Sequence, residues 1–297
     1  MSFFALALAA GLLAQTPDPV QDPAGGAVAQ LGDVVVEGRR LRSVVQDFVG
    51  EVTAPATSNR GPARWNGPIC IGVVNLRAEV AQYIVDRASD VARELGLTAG
   101  EPGCTANVLI IAAADGQAVA EGIVEERRRA FVPGGSGMTR PLSALEDFRT
   151  SDAPVRWWHV STPVDSETGQ LATRMPGQEA PQTAVSRASR IRTDIRDDMF
   201  RAIIIVDITK VESLTLPQLA DYCTLIALAQ VDPKAEVASF ETILNVFIDP
   251  TISGLTSWDR DYLTALYGIE QNRLGSARGG EIVDLMMRSV RADPDEE

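Results

Sequence analysis

Histidine is the residue to count first, because imidazole is the commonest zinc ligand and the side chain that moves protons near neutral pH. This chain of 297 residues has one, His159. It stands in Arg156-Trp157-Trp158-His159-Val160, a strand-like context in which a histidine is most often a satisfied or exposed strand residue. The aromatic pair beside it allows two readings: Trp157, Trp158 and His159 form a peptide-binding edge, or the tryptophans pack a core. A serine hydrolase of the commonest exported kind needs Gly-x-Ser-x-Gly at a strand-to-helix turn. Gly134-Gly135-Ser136-Gly137-Met138 carries Met138 at the last place and reads as a flexible loop. A phosphate-binding loop needs Gly-Lys-Ser or Gly-Lys-Thr, and the only lysines, Lys210 and Lys234, follow Thr209 and Pro233. The paired acids Asp197 and Asp198, and Asp259 and Asp261, fall near helix ends or on polar faces, where carboxylates serve capping and solvation. No catalytic, cofactor-binding or metal-ligating residue is assigned, no cofactor is expected, and an enzymatic role is not favoured.

The cysteines point to a compartment. Cys70 lies early in the apolar run Ile69 to Leu76, and Cys104 lies just before the run Asn107 to Ala113, with a helical pattern between them. If these runs are neighbouring parallel strands, both thiols sit at one end of the sheet and a bridge is within reach. It would stabilise the fold by about 3–4 kcal/mol through loop closure; two buried free thiols are the alternative. Cys223, inside an apolar helix, is left over. Residues Phe3 to Ala14 are apolar and small, too short to span a bilayer, and run into a polar stretch. They read as a signal peptide over residues 1–14, cleaved at Ala10 or Ala14, so the expected location is periplasmic or secreted. No later segment is apolar and long enough to cross a membrane. With 27 basic against 40 acidic residues the net charge is -13. Arg127, Arg128 and Arg129 follow Glu121, Glu125 and Glu126 and make a mixed helix face, not a basic stripe. Phosphate backbones and anionic lipid are therefore not expected partners.

Periodicity orders the rest. Residues 15–62 read as a linker with a short docked element: Gln15 to Gln30 is rich in Pro, Ala and Gly, Asp33 to Glu37 is strand-like, Leu41 to Val49 is amphipathic, and Thr53 to Pro62 is a spacer. The domain spans 63–292. It opens with a strand (Pro68 to Leu76), a helix (Ala78 to Leu97) and a strand (Asn107 to Ala113). A second helix follows, from an N-cap at Asp115 to about Phe131. Val155 to Thr162 is strand-like, Pro163 to Pro181 is a polar loop, and Arg190 to Lys210 contains the strand Ala202 to Val206. Helices are predicted over Leu216 to Val231, Phe240 to Ile248, Ser257 to Tyr267 and Gly280 to Arg291, before an acidic tail at 293–297. The fold class is α+β, an N-terminal mixed sheet with helices and a C-terminal helical half.

The C-terminal succession is the most specific feature: Leu219-Ala220-Asp221-Tyr222-Cys223-Thr224-Leu225-Ile226-Ala227-Leu228-Ala229, then Thr242-Ile243-Leu244-Asn245-Val246-Phe247, then Leu255 to Tyr267. It resembles the C-terminal half of the zincin-like, metallopeptidase-related domains of uncharacterised bacterial exported proteins. The resemblance covers the C-terminal helices well and the upstream strands loosely. In active zincins the corresponding helix carries His-Glu-x-x-His, two zinc ligands one turn apart and a general base. Laid on this helix, Asp221 and Leu225 fall at the histidine places and Tyr222 at the glutamate place. Leucine cannot ligate a metal, and a phenol with a pKa near 10 cannot stand in for a carboxylate base. The helix holds no His or Glu, so no shift of alignment restores the motif. The resemblance thus implies the fold and denies the activity: a catalytically inactive zincin-like exported protein, a pseudoenzyme that binds a peptide or protein partner in the groove an active relative would use. A hydrolase with an unrecognised carboxylate or serine site, and a structural envelope component, are the readings from other classes.

Overall fold

Near-continuous apolar strands suit a sheet buried on both faces, and the two centre strands have that composition. In the computed structural model, which describes residues 40–54, 60–132, 141–172 and 192–292, they are β2 (Val108–Ala113) and β4 (Ile195–Asp207). With β1 (Ile71–Val74) and β3 (Val155–Asp165) they form a four-stranded mixed sheet in the order β1-β2-β4-β3. β1, β2 and β4 run parallel, and β3 pairs antiparallel with β4, with a register shift between Val160 and Ser161. The signal peptide, the linker 15–30, the strand-like run 33–37, the Gly-rich loop and the tail 293–297 lie outside the described residues, as do parts of the spacer and of the polar loop.

Helices cover both faces. Residues 40–52 form α1, whose Val45, Phe48, Val49 and Val52 recur at helical spacing and are buried. α2 (Ala78–Glu94) links β1 to β2 and buries Ile84, Ala88 and Val91. α6 (Leu216–Leu228) opens with a Thr215/Gln218 capping box and packs between α2 and the sheet, and it is buried along most of its length. α7 (Ser257–Gly268) starts with a second box, Thr256/Asp259. α8 (Gly275–Ala292) packs Ile282, Val283, Met286 and Met287 into the same core. These five helices lie over the face of Ile71, Val108, Ile110, Trp157 and Ile204. On the other face α3 (Gly116–Glu126), α4 (Arg128–Phe131) and α5 (Leu142–Thr150) pack Phe131, Leu145 and Phe148 against Trp158, Ile203 and Ile205. Successive strand residues point to opposite faces, so Trp157 belongs to the first core and Trp158 to the second. Leu41–Glu297 form one compact unit.

Cys70 and Cys104 form a disulfide, Cα–Cα 6.1 Å, at one end of the adjacent parallel strands β1 and β2. Asp115 caps α3 by accepting from the Ala118 N–H at 2.9 Å. Among the described residues no helix is long and apolar enough to cross a membrane. Several elements differ from the periodicity, among them β4, which starts at Ile195, ahead of the expected Ala202, and β3, which runs on to Asp165 into the expected polar loop. The helix predicted over Phe240 to Ile248 is a single 3-10 turn, Ile243–Asn245. There the Asn245 amide donates to the Val237 and Phe240 carbonyls, at 2.7 Å each, and side-chain bonds to the backbone compete with helix. α3 stops at Glu126, with α4 a separate turn. α5 is an unexpected helix, short and preceded by Pro141. α8 starts at Gly275, ahead of its expected start, through glycines whose propensity argues against helix.

Candidate functional site

The three positions aligned with the zinc motif have different fates. Asp221 is nearly buried and ion-paired with Arg87, whose Nε and Nη2 donate to its two oxygens at 2.5 and 3.0 Å. It also accepts from the Leu255 N–H at 2.8 Å, tying α6 to the loop before α7. Gly254 makes this approach possible, since a Cβ there would lie 2.4 Å from Asp221 Oδ2. Leu225 is core. Tyr222 is buried with its ring edge-on to Trp157 and Phe247, at 6.3 and 5.3 Å, and burial pushes its phenol far above the ordinary value. One turn of α6 therefore holds an ion pair, a core leucine and an aromatic contact.

The strand residues singled out from the sequence are also internal. The Trp157 indole N–H donates to the Val231 carbonyl at 2.9 Å and the Trp158 N–H to the Phe131 carbonyl at 3.0 Å. His159 lies against the Ile226 carbonyl, Nε2 to O 2.7 Å, and is buried, so this imidazole is not placed to serve a substrate. Cys223 is a buried thiol that burial pushes up to about 12, which keeps it from acting as a nucleophile. The acid pairs serve structure: Asp197 takes Arg60, Asp198 takes Arg196 and Asn66, and Asp259 caps α7 while accepting from Thr242 and Ile243. Among the described residues no three of His, Cys, Asp and Glu cluster as metal ligands would.

What the strand does present is its outer edge. β3 is the last strand of the sheet. Antiparallel residues alternate between those bonded to the neighbour and those facing away, and the Asp207 N–H donating to the Pro154 carbonyl at 2.9 Å sets the phase. Arg156 and Trp158 therefore bond to β4, whereas the main-chain N–H and C=O of Val155 and Trp157 face outward, and no described residue pairs with them. A cleft of about 340 Å³ runs along residues 153–158. Ala144, Asp147 and Phe148 of α5 form one wall; Tyr222, Phe247 and the Pro233–Lys234 turn form the other. Lys234 Nζ reaches Asp147 at 2.5 Å from the opposite wall, and both side chains are largely exposed. A second, larger and more open hollow of about 840 Å³ around the 3-10 turn is lined mainly by polar residues, including Glu241 and Asp249.

Comparison of the chain with protein-family models, with curated proteins and with solved structures gives no match. The cleft brings Trp157, Trp158 and Tyr222, all singled out from the sequence, to one place, and it leaves Asp221, Leu225 and His159 elsewhere. Phe148, Phe247 and Lys234 are its residues that sequence reasoning missed. The spacing Leu142, Leu145, Phe148 is the signal that could have revealed the α5 wall.

Proposed function

We propose that the protein is a non-catalytic, exported binding module that takes an extended peptide segment, of a protein partner or free, along the outer edge of β3. The observation that carries this reading is the pair of outward-facing residues, Val155 and Trp157, whose main-chain groups have no partner among the described residues and lie at the floor of an aromatic-walled cleft. A peptide strand laid there gains main-chain hydrogen bonds from the edge, and an apolar side chain seated between Phe148 and Phe247 adds selectivity. Export is supported by the Cys70–Cys104 disulfide, which fits an oxidising compartment. In this proposal the chain is a zincin-like pseudoenzyme: Asp221 and Leu225 have passed into an ion pair and the core, and only Tyr222, at the place of the general base, still borders an open cleft.

The test is a selection of short random peptides on the full chain, followed by titration of the best binder against Phe247→Ala and Lys234→Glu variants. Apolar, extended sequences should emerge; Phe247→Ala should weaken binding about tenfold or more, the loss of one packed anchor, and Lys234→Glu, which sets a second acid against Asp147 at the rim of the cleft, should weaken it less. Binders indifferent to both substitutions would refute the site, and stoichiometric zinc in metal-replete protein would refute the pseudoenzyme reading.

A further inference from the structure

Four guanidinium groups gather where the first half of β4 meets segment 60–66 and the first turns of α8. Two have carboxylate partners. Arg60 Nε sits 3.0 Å from both oxygens of Asp197, and Arg196 Nε sits 2.8 Å from Asp198, which also accepts from Asn66 at 2.6 Å. Arg64 sends Nη1 to the carbonyls of Leu266, at 2.9 Å, and Tyr267, and lies 5.7 Å over the Tyr267 ring. Its Nε has no hydrogen-bond partner among the described residues. Arg278 is the outlier. It is fully buried, and none of its three nitrogens has a hydrogen-bond partner among the described residues.

Asp197 is the carboxylate that acts on Arg278, and Arg60 already holds it; Arg60, Arg64 and Arg196 all repel Arg278. Burial first, then these three neighbours, bring the guanidinium down to about 10, so it stays charged at neutral pH. Among the described residues, four cations against Asp197 and Asp198 leave an excess of two positive charges. A buried charge without a counter-charge is strongly destabilising, and a guanidinium does not escape by shedding its proton. Its planar fork matches the edge of a tetrahedral oxyanion.

We infer that this cluster is an anion site for a small dianionic oxyanion, inorganic phosphate or sulfate, with Arg278 as its central donor and the free Nε of Arg64 as the second. The Arg278 nitrogens have almost no surface open to water, so an ion enters only with a shift of the surrounding side chains, which favours a small free ion over a phosphate carried on a larger molecule. Arg60 and Arg196, whose side chains are 18% and 15% exposed, form the side open to solvent. The site is separate from the cleft and does not rest on the peptide-binding reading.

The full chain, exchanged into chloride, is tested in two ways. Denatured protein is assayed for released anions by ion chromatography, and thermal unfolding is followed in chloride, phosphate, sulfate and phenyl phosphate at matched ionic strength. Two results support the site: about one phosphate or sulfate retained per chain, or, where exchange has emptied it, a midpoint about 5 °C or more higher in phosphate or sulfate than in chloride. Arg278→Met should abolish both while being no less stable than the parent in chloride, since it deletes the uncompensated charge. Sulfate also strengthens burial generally, so the shift is read as the difference between the parent and this variant. Should Arg278→Met fail to fold, Arg278→Lys, which keeps the charge and loses the fork, should weaken the shift severalfold. No retained anion together with equal midpoints in chloride, phosphate and sulfate would overturn the proposal. A shift that survives at Arg278→Met would overturn it as well, as would a shift with phenyl phosphate alone.

Discussion

Asp221 shows how a single carboxylate can look catalytic in a sequence and be structural in a fold. It compensates Arg87 and satisfies the Leu255 N–H, so removing it strands a partly buried guanidinium and an amide at once. Asp221→Ala should cost about 2–4 kcal/mol in denaturant unfolding, whereas a carboxylate kept for chemistry would cost activity and little stability. Asp207 sets an acid limit. Burial alone would raise its pKa, but bonds from the Thr209 hydroxyl, the Gly116 N–H and the Thr209 N–H, with the Lys210 charge, hold it below the ordinary 3.8. A depressed folded-state value contributes stability that is present above pH 3.8 and lost as pH falls through that value. The denaturation midpoint should therefore fall below about pH 4, and Asp207→Asn should flatten that fall; an unchanged profile would mean that other carboxylates govern it.

At the scale of elements, the disulfide and α1 decide stability. The bridge closes a loop with a sequence separation of 34 between β1 and β2, so the double substitution of Cys70 and Cys104 by serine should lower stability by about 3–4 kcal/mol. A loss below about 1 kcal/mol in reversible urea unfolding would show that the strands hold their register unaided. α1 is an integral element of the first core: Phe48 meets Phe240, Trp258 and Tyr262 edge-on at 5.3, 5.2 and 6.0 Å. The amphipathic stretch Leu41 to Val49 was legible as a docked element because its period is local. Its partners were not, because Trp258 and Tyr262 come from the far end of the chain. α5 was obscured for the complementary reason: it is short, and its apolar residues make sense only against Trp158 and Phe131.

At the scale of the molecule, two helical layers enclose a sheet whose β3 edge ends in a cleft. The first layer draws on nearly the full length of the described chain, from Val45 to Met287. A chain begun at residue 60, lacking α1, should therefore lose cooperative unfolding by circular dichroism, and a sharp transition retained in that truncation would show that the remaining helices suffice. The net charge of -13 sits beside the buried excess of positive charge around Arg278. Overall acidity and a local cationic site are thus compatible, because composition sums charges that the fold keeps apart.

Composition and local pattern alone settled a good deal. One histidine and a helix without His or Glu exclude a zincin metal site on α6, since no folding can supply ligands the chain lacks. The period of apolar residues also placed the strands and most helices, because each element's buried face is written within its own few turns. Tertiary structure decided which of those residues meet anything. Whether Trp157 shows a partner its ring or its main chain depends on which strand lies beside it, and whether Asp221 is reactive or paired depends on Arg87, 134 positions away. Arg278 carries no local sign of being uncompensated; only its distant neighbours Asp197, Arg60, Arg64 and Arg196 make it so. Edges and charge balance are properties of neighbours far apart in the chain, and no window of sequence contains them.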